Sequence, residues 1–349
     1  MAYVLNGANN EGDGFTFAIA QFALRAMHES SGLVDMTSVV TPQQGNQFLV
    51  PNFAPITYQD YNPNAEPTTG GFGSNGAVEQ NPALAQQTIT ATPAVCATAF
   101  DVFYSWTTSF ELASTLGSEL GESYAEKVDQ RVCAAFAGFK ATPSNAVYSP
   151  TPADGFSRPT ELGAMELIGV NGNLGTNSTP GFSTNSVLEL IRLVKQNYKK
   201  ARLPGSRIIV LDADGLDRTT GQSSMTRLLA ELTGGAVSQS GGSNLSALGN
   251  ELLSTGRIES VYGCQVMFTT FLPSQDIALL GQQSETTCLV GAYFHETALF
   301  TVLKEGLQIK MGEKPGGLQM WLTGLAYMGA GVGDKRRGGA INIVQKDPS

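Results

Sequence analysis

The chain has 349 residues, of which 42% are hydrophobic and 15% charged, and its formal net charge of -9 gives a pI of about 4.8. So acidic a chain is not suited to hold nucleic acid through phosphate contacts, which depend on clustered Lys and Arg. The sequence contains no run of about 18 uncharged apolar residues, the length needed to span a membrane. Residues 1–10 lack the basic start and the apolar run of a secretory signal. The 40 glycines and 16 prolines predict many turns and extended segments, which argues against a helical bundle.

The first third of the chain predicts a helix followed by a long hairpin. Apolar residues between 15 and 27 recur at steps of three and four, which is typical of a short amphipathic helix. Residues 37–41 and 47–53 have a strand pattern. Residues 59–87 contain few large apolar side chains and cannot form a core, and extended sequence resumes over 88–107. Two extended flanks around a polar tip indicate a hairpin arm.

A long helix is predicted next. Thr108 and Glu111 have the spacing of a capping box. Apolar residues then follow every fourth position: Leu112, Leu116, Leu120, Tyr124, Val128, Val132 and Phe136. A helix from Ser109 to Phe139 would be about 45 Å long. Because a step of four drifts by about 40° on a helix of period 3.6, the apolar stripe winds round and should contact different partners at its two ends.

The second half of the chain has a mixed pattern. Residues 140–185 predict a loop with one helical turn around Glu161–Leu167. The elements expected after it are a helix at 186–201, a strand at 207–211, helices near 225–232 and 245–253, a strand pair at 258–261 and 265–271, strand-like sequence at 288–294, a long segment at 298–311, and further segments at 318–327 and 340–344.

Cysteine and glycine motifs give no cofactor or metal site. Cys96, Cys133, Cys264 and Cys288 form no CxxC pair and have no nearby histidine, so we predict reduced and mostly buried thiols. Residues 71–76 satisfy the G-x-G-x-x-G spacing of a nucleotide loop. No strand precedes this motif and no helix follows it, so a loop tip is the better interpretation.

An acidic pair after a strand raises an enzymatic alternative. Asp212 and Asp214 follow the apolar strand, and this resembles the first motif of haloacid-dehalogenase-type phosphatases. That resemblance implies Asp212 as nucleophile, Asp214 as general acid and a bound magnesium ion. Against it, Gly338 stands four positions after Asp334, where that family has an acidic residue, and a strand-to-helix turn uses Asp for capping alone. The basic run 335–337 indicates a solvated or intersubunit patch.

The order of elements resembles the major capsid proteins of tailed phages, with the Hong Kong 97-type fold. Local motifs add to this: Ile258–Thr270 followed by Leu272-Pro273, Val290–Leu299, and Tyr327–Arg337, the last similar to podovirus-type shell proteins. The resemblance implies an α+β fold with an N-terminal arm at 1–36, an extended hairpin loop at 37–107, a peripheral domain with a spine helix at 108–185, a mixed α/β axial domain at 186–287, and return strands at 288–349 completing both domains.

The resemblance also implies a function without catalysis or cofactors. Such subunits form hexamers and pentamers in an icosahedral head, assembled in the bacterial host cytoplasm, that becomes part of the virion. They enclose double-stranded DNA without reading its sequence, and their partners are scaffold, portal and cement proteins. A hairpin of about 70 residues with a polar tip is marginal alone and needs a neighbouring copy. The aromatic anchors predicted for intersubunit contacts are Phe100, Phe103, Tyr104, Trp106, Phe72, Phe15 and Phe22.

Three other functions are compatible with the sequence. An encapsulin-type nanocompartment shell would share the fold and enclose a cargo enzyme. The phosphatase built on Asp212 and Asp214 belongs to a different class. A sheet-rich binding protein that stays monomeric is the third.

Overall fold

The computed structural model describes residues 18–23, 25–26, 32–42, 45–53, 84–101, 109–139, 162–168, 183–184, 186–200, 203, 205–213, 223–232, 257–278, 285–313 and 319–344. The helices of this part are α1 (18–26, with residue 24 not described), α2 (Ser109–Ala135), α3 (Val187–Lys200) and α4 (Ser224–Leu232). The strands are β1 (Ser38–Val40), β2 (Gln47–Phe53), β3 (Leu84–Thr90), β4 (Thr92–Asp101), β5 (Met165–Ile168), β6 (Ser183–Thr184), β7 (Ile208–Asp212), β8 (Arg257–Val261), β9 (Cys264–Thr269), β10 (Ser274–Ala278), β11 (Glu285–Phe294), β12 (Leu299–Glu313), β13 (Gln319–Val332) and β14 (Gly338–Val344).

The strands form three sheets. One sheet has the order β1-β12-β13-β4, and another has the order β6-β5-β14-β11-β7-β9-β8 with β10 also paired to β11. The third is the hairpin of β2 and β3. The C-terminal strands β11 to β14 supply members to both larger sheets, so the end of the chain ties the two sheets together.

The predicted hairpin is present in β2 and β3, and its base is fixed on its own chain. The rest of the predicted flanks is different, because β1 and β4 belong to the four-stranded sheet. Strands β2 and β3 pair antiparallel from Gln47 opposite Thr90 to Phe53 opposite Leu84. Buried Val50 and Ile89 pack with Val302 of β12. The base of the hairpin is therefore held by its own chain, and the predicted polar tip lies outside the described residues.

The predicted long helix is confirmed, as are the different partners at its two ends. Helix α2 ends in a 3-10 turn at Phe136–Gly138. Near its start, Gly117 and Gly121 face α1 so closely that a Cβ on Gly117 would lie 2.6 Å from the Cβ of Phe22, and a Cβ on Gly121 would overlap the carbonyl of Ala23. At the other end, Phe136 contacts the ring of Phe294 in β11 at a centroid distance of 5.9 Å.

Gly121→Ala is expected to lower the free energy of unfolding. The added methyl has to push α1 away, and overpacking of this kind costs about 1–3 kcal/mol. Gly to Ala in a helix recovers about 1 kcal/mol through propensity, which leaves a net loss of about 1 kcal/mol. Denaturant unfolding would measure it, with Glu119→Ala on the exposed side of α2 as control. Equal stability of the two variants would show that α1 does not pack at this position.

The middle of the chain folds largely as predicted. Helix α3, strand β7 and helix α4 lie where the pattern placed them. Glu231 of α4 accepts hydrogen bonds from the backbone N–H of Val187 (2.9 Å) and Leu188 (2.7 Å) at the start of α3. Strands β8 and β9 meet in the predicted hairpin, where Tyr262 and Gly263 both have positive φ, the geometry of a tight two-residue turn.

One predicted element is wrong. The helical turn proposed around Glu161–Leu167 is instead strand β5, which pairs in parallel with β14, Met165 standing opposite Ile341 and Ile168 opposite Val344. Three or four apolar residues cannot distinguish a buried strand from a helical turn, and the partner strand that decides it is distant in sequence. Strand β10 was not predicted, and the helix expected near 245–253 lies outside the described residues.

Candidate functional site

Asp212, the central residue of the phosphatase alternative, is buried and hydrogen-bonded to the start of α4. It ends β7 and is 2% exposed. Its carboxylate accepts hydrogen bonds from the backbone N–H of Ser224 (3.2 Å) and from the hydroxyl of Ser224. Burial raises the pKa of Asp212, and the Ser224 bonds oppose that rise. The carboxylate thus caps the start of α4. Asp214 lies outside the described residues.

Asp334, a further residue considered for that alternative, is engaged within the chain. Asp334 accepts from Arg336 through both the backbone N–H (3.0 Å) and the guanidinium (2.9 Å), and it pairs with Arg337 at 3.3 Å. The basic run 335–337 therefore contains two arginines paired within the chain. Across the part of the chain that the structure describes, no three His, Cys, Asp or Glu side chains are grouped to hold a metal ion.

The prediction of mostly buried thiols is confirmed, since three of the four cysteines are buried. Cys133, Cys264 and Cys288 are buried and Cys96 is exposed, and all four are free thiols. Burial raises the pKa of Cys133 to about 12 and that of Cys264 to about 11. A thiol held so far from ionisation is a weak nucleophile, so these residues act as packing groups.

The structure describes two of the predicted aromatic anchors. Phe22 in α1 and Phe100 in β4 are both half-buried, and Phe100 packs against the main core. The others, Phe15, Phe72, Phe103, Tyr104 and Trp106, lie outside the described residues. Whether this set forms an interface stays a prediction.

The exposed apolar side chains that the structure does describe were not singled out from the sequence. Large hydrophobic residues at least 46% exposed are Val39, Leu49, Val95, Tyr262 and Trp321. Two of them share one face of the four-stranded sheet, because the pairing of β4 with β13 sets Val95 opposite Leu325 and Ala99 opposite Trp321. The other face, with buried Leu322, packs on α2. Burial alternates along β13 from Trp321 to Met328, but the sequence there is apolar on both faces, so no alternation of polar and apolar residues marked the exposed side.

Comparison with known proteins finds similarity in structure alone. No protein-family model matches the chain, and no curated protein sequence matches it. The capsid structure of the cyanophage P-SCSP1u superposes with a TM-score of 0.54 at 14% identity, covering 90% of this chain and 89% of that one. The asymmetric unit of the bacteriophage PhiM1 mature capsid gives 0.52 at 14% identity, covering 99% and 90%. This chain has the fold of a tailed-phage major capsid protein.

The same capsid fold is found in two other kinds of particle. The capsid of a native GTA particle matches with a TM-score of 0.51 at 11% identity over 99% of this chain and 94% of that one. A virus-like particle from Pyrococcus furiosus matches with 0.50 at 9% identity over 93% and 97%. The predicted α+β capsid fold is thereby confirmed. In the described part of the chain, no helix is long and apolar enough to cross a membrane.

Proposed function

We propose that the chain is the shell subunit of a phage head, which self-assembles as hexamers and pentamers into an icosahedral shell around double-stranded DNA. The observation that carries this proposal is the capsid fold over nearly the whole chain, with 90% or more of it covered in the superpositions on phage capsids. Coverage of those two chains is similarly high, at 89% and 90%.

The proposed division of the chain follows the two larger sheets, except that β1 and β4 of the four-stranded sheet fall in 37–107 and β5 and β6 of the larger sheet fall in 108–185. Helix α2 and the four-stranded sheet would form the peripheral domain (108–185 with returning strands), and the larger sheet would form the axial domain (186–287). The segment 288–349 supplies β12 and β13 to the first and β11 and β14 to the second, which supports its proposed role of completing both. Residues 1–36 would be the arm and 37–107 the extended hairpin loop.

The proposed partners follow from this role. The aromatic anchors of the hairpin would contact neighbouring copies, and scaffold, portal and cement proteins would bind the assembled shell. A net charge of -9 favours a container whose wall does not adhere to DNA, because like charges repel. No catalytic group is required by such a function.

A second candidate is a closed shell that encloses protein cargo, as in encapsulin-type nanocompartments. The match to the virus-like particle from Pyrococcus furiosus supports this second candidate, because the superposition covers 97% of that chain. The two candidates share every feature of the subunit and differ in what the shell encloses.

Electron microscopy of particles purified from cells that produce the chain tests the proposal. DNA-filled icosahedral heads with one distinct vertex are the expected result. Small closed shells around protein would replace the phage function by the nanocompartment. Sedimentation as a monomer at every concentration and salt condition would overturn both shell functions.

A further inference from the structure

Strand β4 lies at one edge of the four-stranded sheet and is exposed on both faces. Its neighbour is β13, and none of the other described strands pairs with its outer side. Pro93, Val95, Ala97 and Ala99 are exposed on one face, Val95 to 63%. Cys96 and Thr98 are exposed on the opposite face, since α2 covers β13 and leaves this part of β4 open.

Over residues 94–100, and among the residues that the structure describes, the edge lacks the features that prevent strand pairing. Residues 92–100 contain no Asp, Glu, Lys or Arg, and the only proline, Pro93, stands at the start. Natural edge strands are usually blocked by charges, by prolines within the strand or by a covering element. Arg131 closes one end by binding the hydroxyl of Thr92 and, at 2.6 Å, the carbonyl of Met328. Beyond that point, as far as Thr98, no described strand other than β13 pairs with β4.

A groove of about 400 Å³ runs beside this edge, between β4 and α2. Its apolar floor consists of Leu120, Tyr124, Leu307, Gly324 and Ala326, and its rim carries Ser123, Glu126, Lys127 and Gln130. The floor is apolar, which suits the apolar side chains of an extended segment. Main-chain pairing beside a shallow apolar groove is the geometry of strand addition.

We propose that an extended segment of a second copy of this chain pairs with β4 as an added strand and places alternate side chains in the groove. This inference rests on the proposed shell function and names a docking surface for it. The row of main-chain hydrogen bonds provides the affinity. The mixed charges of the rim, Glu126 beside Lys127, select against a strongly charged segment.

The sheet itself favours a second copy as the occupant. Its opposite edge is β1, which is equally uncharged and exposes 46% of Val39. A contact that joins unlike surfaces of two identical chains is head-to-tail, and such contacts close into rings when the rotation between copies is a whole fraction of a turn. Rings of identical subunits are what a shell of hexamers and pentamers requires.

The reactivity of Cys96 towards a maleimide tests the proposal in the purified full chain. Cys96 is the exposed cysteine, and the other three are buried. We expect its labelling rate to fall by at least about tenfold as the chain concentration rises through the association threshold. With no other protein present, concentration-dependent protection can come only from a second copy. Protection that appears only after a lysate is added would instead assign the groove to another protein and overturn the proposal.

A charge on the edge gives an independent readout. Thr98→Lys should leave the circular dichroism of the dilute chain unchanged, because Thr98 is exposed, and should raise the concentration needed for association by at least about tenfold. Gln275→Lys, an exposed position on β10, is the matched control. Assembly with Cys96 still reactive, or with Thr98→Lys indistinguishable from the control, overturns this inference and leaves the shell function intact. A chain that never associates overturns both.

Discussion

Phe294→Ala is expected to lower the free energy of unfolding by about 4 kcal/mol, which is typical for removing a fully buried aromatic ring. Phe294 is 0% exposed at the end of β11. Its ring lies 5.9 Å from that of Phe136 and 6.4 Å from that of Phe139, measured between centroids. These contacts join the end of the long helix to the larger sheet, so the cavity would lie where the two halves of the molecule meet.

Denaturant unfolding measures this loss, and Trp321→Ala is the matched control. Trp321 is 48% exposed on β13, so removing its larger ring should cost only about 1 kcal/mol in the dilute chain. The order of the two losses is therefore the reverse of the order of ring size. A loss below about 1 kcal/mol for Phe294→Ala would mean that the helix end is not packed on the sheet.

Sequence patterns located the elements whose signals are local. The stripe from Leu112 to Phe136 was sufficient for α2, because each turn of a long helix repeats the same evidence. The β8–β9 hairpin was found because Tyr262-Gly263 is a turn signal between two apolar runs. Both features depend on residues that are close together in the chain.

Elements that depend on distant partners were harder to predict. Strand β5 has four residues and is defined by its pairing with β14. The open edge of β4 is not predictable from the sequence for a related reason. Residues 92–100 have a strand pattern, but both faces of β4 are exposed because α2 packs on the neighbouring strand β13. Asp212 shows the same limit for chemistry, since the Ser224 bonds that make it a helix cap come from a residue twelve positions on.

Asp129 should make the fold more stable in mild acid. It lies on α2, is 6% exposed, and accepts hydrogen bonds from the backbone of Gly32 and Leu33. Its Oδ1 atom has no hydrogen-bond partner among the described residues. Burial, and to a smaller extent the nearby charge of Asp35, raises the pKa of Asp129 from 3.8 to about 6, although the backbone bonds act in the opposite direction.

The sign of the pH effect follows from this shift. The folded chain holds the proton of Asp129 more tightly than the unfolded chain, so protonation favours folding. Stability from this group therefore rises as pH falls through about 6 and levels off below 3.8, where both states are protonated. A shift of this size corresponds to roughly 2–3 kcal/mol between neutral pH and pH of about 4.

Asp129→Asn should abolish that rise, because an amide still accepts from Gly32 and Leu33 and does not titrate. Unfolding free energies of wild type and variant, measured from neutral pH to about 4, give a difference dominated by Asp129, since titrating groups that do not interact with it contribute equally to both chains. The difference should move in favour of the wild type as pH falls. Asp276→Asn, at an exposed position on β10, is the control for the loss of a surface carboxylate. If the stability difference between wild type and Asp129→Asn does not change with pH, the segment around Gly32 is not fixed on α2 by a desolvated carboxylate. The contact between this segment and the long helix must then depend on apolar side chains such as Leu33 and Met36.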